Sequence, residues 1–182
     1  MGLAFSENNV NIKTGLAQGD ADSVAIRTPG KCSTLHNHTA KGFNIPSGED
    51  FKTYLKTINE RLGVTTSNKE TWVIQHTNKK GLSNKYLNNI KNKVDDLAAK
   101  YTNEFKKEYL IEKNRINKIK DPNLKQKELD NLKKKVNTSL LDKYNKKLGD
   151  EVLEYTSHIE GLKVKRYSNV KVDKNKIKNL KK

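Results

Sequence analysis

Leu35-His36-Asn37-His38, and eight residues later Pro46-Ser47-Gly48-Glu49-Asp50, are the stretches on which the reading of this chain turns. Strand side chains alternate faces with period two, so two histidines one residue apart share a face if residues 33–38 are a strand. Asp50 follows His38 by twelve residues, close enough to offer an oxygen from the first turn of a helix. Two histidines and a carboxylate with a fourth position open form the ligand set of a catalytic zinc site. The same residues have a plain structural reading. Ser47 can cap a helix with Asp50 at its third position, or its hydroxyl can face a metal-bound water.

The order His-x-His, a short loop, then Ser-x-x-Asp resembles the JAB/MPN (JAMM) metalloprotease family. Within it the nearest look is that of the JAB-like domains of RadC-type proteins and of phage head-morphogenesis and toxin proteins. The resemblance implies zinc on His36, His38 and Asp50, with Ser47 on the oxyanion side. Thr39 stands where the family has proline, and the loop 39–46 is about one residue longer than usual. The family's general-base glutamate lies on a strand well upstream, which would place it at or before Met1. Glu7 is the only glutamate upstream of the histidines and is the candidate base. The expectation is a JAB core trimmed at its N-terminus.

Composition separates the chain into two parts. The net charge is +16 over 182 residues. Residues 1–63 hold seven basic and six acidic side chains, which leaves 30 and 15 for the remainder. The basic charge therefore belongs to the C-terminal part, and a surface of that sign attracts nucleic acid, acidic proteins or anionic lipid. Nearly all of it is lysine, with arginine only at positions 27, 61, 115 and 166. Arginine is the better reader of guanine and phosphate, so diffuse backbone contact is expected rather than sequence reading. A mean hydropathy of −0.92 implies much solvated surface. No apolar run approaches the ~18 residues of a membrane span, and no charged-then-apolar leader is expected. The single Cys32 leaves no internal disulfide and fits a reducing cytoplasm.

Along the chain, residues 3–5, 10–13, 22–27 and 33–38 read as short strands between turn residues. Phe51, Tyr54, Leu55, Ile58 and Leu62 recur at helical spacing, predicting a helix from Ser47 to Leu62 ended by Gly63. Residues 71–76 read as a strand. Ser83 caps a long helix that stops at Lys120-Asp121-Pro122, where proline opens the next. That second helix runs past Leu148, with a kink expected at Gly149-Asp150, and residues 163–170 suit a last strand. His76 and His158 read as ordinary polar residues, and the hairpin's tyrosines and Phe105 as core. The fold class expected is α+β: a small JAB-like mixed sheet with one helix over residues 1–81, then a basic antiparallel helical hairpin over 82–170. Residues 171–182 read as a disordered lysine-rich tail.

The function expected is that of a mobile-element binding protein on a degenerate JAB-like scaffold. Its basic arm would engage an acidic partner in the cytoplasm: nucleic acid, a ribonucleoprotein or a host-defence complex that it inhibits. The alternatives are a zinc-dependent peptidase or isopeptidase, with Glu7 as base and Ser47 as oxyanion donor, and a structural phage assembly component.

Overall fold

The computed structural model describes residues 2–5, 33–37, 43–57, 61–65 and 70–168. The expected strands at 10–13 and 22–27, the tail 171–182, and Glu7, Cys32 and His38 lie outside the described residues. Strands β1 (Gly2–Phe5), β2 (Ser33–Asn37), β3 (Arg61–Thr65), β4 (Glu70–His76) and β5 (Leu162–Ser168) form one sheet in sequence order. The β2–β3 pair is parallel and the other three pairs are antiparallel. Helix α1 (Gly48–Lys56) makes the β2-to-β3 crossover, as a parallel pair requires. Helices α2 (Asn84–Asn117), α3 (Pro122–Lys135) and α4 (Leu141–Ser157) lie between β4 and β5, with a π-helical turn at Val136–Leu140. The protein is thus a mixed α+β fold with a long helical excursion, as composition and periodicity suggested.

Alternation along the strands gives the sheet one apolar face. Leu62 and Val64, Trp72 and Ile74, and Leu162 are buried, while Lys163, Lys165 and Tyr167 between them are exposed. Against the buried face lie Phe51, Tyr54 and Leu55 of α1, Leu87, Ile90, Val94 and Leu97 of α2, and Leu148 and Val152 of α4, all in one cluster. Residues on both sides of the expected boundary at 81/82 belong to this one cluster. The sheet-proximal halves of α2 and α4 are part of the core, and β5 completes the sheet. Only the outer half of the helical excursion extends beyond it as an arm.

Two elements differ from their sequence reading. The predicted helix to Leu62 ends at Lys56, and residues 61–65 are a strand. Leu62 fits a helical stripe and a period-two strand equally well. The ladder decides, because Leu62 pairs with Thr34 on one side and Ile74 on the other. Lys79 supports the earlier stop. Its ammonium donates to the carbonyl oxygens of Tyr54 and Thr57 at 3.1 and 3.2 Å, placing a cation at the negative end of α1. It also lies 3.6 Å above the Tyr54 ring, and burial pushes its pKa down to about 8.

The kink expected at Gly149 is the second difference. Helix α4 runs unbroken through Gly149, and the irregularity is the π turn at 136–140. Gly149 is needed instead for close approach. A Cβ there would meet Arg166 Nη1 at 2.7 Å and Trp72 Cη2 at 3.3 Å. Arg166 in turn binds Glu70 at 2.6 Å and lies 5.5 Å from the Trp72 ring, tying β4, β5 and α4 together.

The arm is held by aromatics with acidic partners. Tyr144 packs edge-on against Phe105 at 5.9 Å and tilted against Tyr101 at 6.2 Å. These aromatics are interior groups, as their spacing suggested. Tyr144 donates to Glu108 at 2.8 Å. Burial, and then this hydrogen bond, push the Tyr144 hydroxyl up to about 12. A folded pKa above the unfolded value of about 10 stabilises the arm below pH 10, and this contribution is lost as pH rises through 12. Alkaline titration followed by near-ultraviolet circular dichroism should show the wild type losing arm structure over that window. Tyr144→Phe should flatten the pH dependence. Equal slopes in both proteins would overturn this account.

Candidate functional site

The candidate zinc residues belong to one connection. His36 is the fourth residue of β2, in register with Gly2 and Val64. Chain connectivity leads from the end of β2 through residues 38–47 into α1, whose first turn carries Asp50. His36 and Asp50 thus flank the same connection, while His38 and Glu7 lie outside the described residues. Among the described residues, no group of three or more His, Cys, Asp or Glu is arranged to hold a metal ion.

Ser47 and Asp50 are described in full, and they form a reciprocal cap. Ser47 Oγ accepts from the Asp50 N–H at 3.2 Å, and Asp50 Oδ2 accepts from Ser47 N–H at 2.6 Å and from Ser47 Oγ at 2.8 Å. This capping box satisfies two backbone donors that a helix start otherwise leaves open. The Ser47 hydroxyl both gives and receives within the cap. Both residues therefore have a structural role that calls for no metal.

The segment leading into the cap is also pinned from behind. Asn44 N–H donates to the buried Asn145 Oδ1 at 2.8 Å, and Gly48 N–H donates to Asp95 Oδ1 at 3.1 Å. Ile45 and Pro46 are buried. The segment 44–48 thus meets α4 through Asn44 and α2 through Gly48, while Ser47 and Glu49 are exposed. Of the other histidines, His158 is exposed. His76 accepts from Asn78 N–H through Nδ1 at 3.1 Å. Its pKa is lowered, first by burial and then by the charge of Lys79.

The helical arm is the other candidate, and there charge is sorted by direction. Beyond Asp96, the acidic residues of α2 are Glu104, Glu108 and Glu112. At i, i+4 spacing they share one face, and that face meets the returning helices. Glu108 pairs with Lys143 at 2.5 Å, and Glu112 with Arg115 at 2.7 Å and Lys135 at 3.7 Å. These cations hold Glu108 and Glu112 below the usual carboxylate range, with hydrogen bonds from Lys143 and Arg115 the largest causes. Farther in, Glu151 of α4 pairs with Lys100 at 2.8 Å and accepts from Tyr101.

Glu108, Glu112, Glu128 and Glu151 are thus paired between helices of the excursion, whereas Asp130, Asp142 and Asp150 are exposed. The arm's surplus cations face water. Lys106, Lys107, Lys113, Lys118, Lys127, Lys134 and Lys147 are exposed, and among the described residues none of them makes an ion pair. Net charge gave the excess in the sequence but not its direction. The regular Glu104-Glu108-Glu112 spacing was the signal that could have found it. No protein-family model, curated protein or solved structure matches this chain.

Proposed function

We propose that this is a non-catalytic binding protein whose basic helical arm engages a nucleic acid or ribonucleoprotein through the phosphate backbone. The observation that carries this reading is the sorting of charge on the arm. Glu108, Glu112 and Glu151, which would repel phosphate, are partly buried and paired with cations, while seven arm lysines without an ion pair are exposed. A lysine without a protein partner exchanges only water and counterions on meeting a phosphate, and counterion release drives such binding. The mutual capping of Ser47 and Asp50 supports a scaffold role for the segment that resembles a peptidase site. The resemblance to phage-borne domains adds a mobile-element origin, with the arm occupying the nucleic-acid path of a host complex.

The test is fluorescence anisotropy with a labelled 20-base-pair DNA at graded salt. Each phosphate neutralised contributes a slope of about −0.9 in log K against log salt. Four to six contacts predict a slope of about −4 to −5. A flat dependence, or no binding near 50 mM salt, would overturn the proposal.

A further inference from the structure

The outer half of α2 presents a face with no acidic residue. Asn103, Lys106, Lys107, Leu110 and Asn114, with Lys118 at the C-cap, are all exposed and recur at helical spacing along one side. The opposite face carries Tyr101, Phe105, Glu108, Glu112 and Ile116 against α3 and α4. From Asn103 to Lys118 the face runs about 22 Å, at 1.5 Å per residue. Leu110 is 51% exposed, an apolar side chain in the middle of a row of amide and ammonium donors.

We propose that this face of α2 docks in the major groove of duplex DNA. This rests on the phosphate-binding reading above and gives it a place and a partner. An α-helix with its side chains is about 10–12 Å across, and the B-form major groove is about 12 Å wide. With α3 and α4 behind it, α2 enters by its free side alone. Lys106, Lys107 and Lys118 reach the phosphates along the groove walls. Asn103 and Asn114 carry the amide that pairs with adenine edges, and Leu110 meets the groove floor as an apolar side chain meets a thymine methyl. A carboxylate anywhere on this face would oppose such docking. Glu108 and Glu112 lie on the opposite side, paired with Lys143 and Lys135, and Glu104 borders the face through its i, i+3 spacing to Lys107.

The experiment compares two triple variants of equal charge loss in the full chain, with circular dichroism to establish that both are folded. Lys106→Gln/Lys107→Gln/Lys118→Gln strips the face, and Lys56→Gln/Lys80→Gln/Lys85→Gln removes the same charge elsewhere. With a 20-base-pair duplex, the first variant is expected to raise Kd at least tenfold and to reduce the salt slope by about two to three units. The second should change Kd less than threefold. Leu110→Glu, which places one carboxylate in the face, should weaken binding several-fold, and the duplex should bind more tightly than its single strand. Equal weakening by the two triples would overturn the docking site while leaving phosphate binding intact. Failure of the wild type to bind any DNA would remove both. Binding of poly-glutamate but not the duplex, abolished by the first triple, would make the face a protein dock and overturn the DNA assignment.

Discussion

Replacing Trp72 with Ala is expected to destabilise the protein by about 3–5 kcal/mol, the range for emptying a large buried aromatic site. Trp72 has no exposed surface. It pairs with Val64 on β3 and Arg166 on β5, and its ring meets α4 at Gly149. An alanine there removes ring contacts with two layers and leaves Arg166 without the face it covers. Trp72→Phe should cost much less. The indole Nε1 is buried without a hydrogen-bond partner among the described residues, so phenylalanine loses area but forfeits no hydrogen bond. Urea midpoints of the two variants check this. An alanine variant as stable as the wild type would show that α4 does not bear on the sheet at this point.

The second large effect is expected at Gly48→Ala. Alanine is ordinarily better than glycine inside a helix, and α1 begins at Gly48, so propensity alone predicts a gain. The neighbours predict a loss. A Cβ at this position would collide with the backbone carbonyl of Lys91 and would lie 2.5 Å from Asp95 Oδ1. The Lys91 carbonyl belongs to the body of α2 and cannot swing away, so α1 must shift and stretch the Gly48–Asp95 hydrogen bond. Overpacking of this kind costs about 1–3 kcal/mol. Thermal unfolding should show a clear fall in Tm for Gly48→Ala, and a rise would mean that α1 and α2 have room to separate.

These positions also mark what the sequence could and could not reveal. Strand β4, the Ser83 cap, the Pro122 helix start and β5 were legible because each depends on local signals: alternation, a capping side chain, or proline's missing N–H. The end of α1 was not. The spacing of Phe51, Tyr54, Leu55, Ile58 and Leu62 is compatible with one helix, and only pairing with β2 and β4 makes Leu62 a strand residue. Gly149 read as a weak point in a helix, yet its role is to let Trp72 approach, a contact across 77 positions of sequence. At the candidate metal site, the helix-cap reading of Ser47 and Asp50 was legible from five residues. That Gly48 between them is fixed by α2 required the fold. On the arm, lysine excess was plain from composition, but its orientation depends on which carboxylates the returning helices meet.

The position of β5 bears on the order of assembly. It lies beside β4, but the chain delivers it only after three helices have been made. Strands β1 to β4 and α1 can associate early from the ribosome, whereas the apolar face over Trp72 stays uncovered until α4 and β5 emerge. Contacts that distant in sequence close slowly, and the helical excursion is what brings the ends of the two strands together, with His76 in register with Leu162. The same arrangement makes the turn between α2 and α3 the natural place to divide the chain, since a cut there would yield two pieces able to find each other across the sheet.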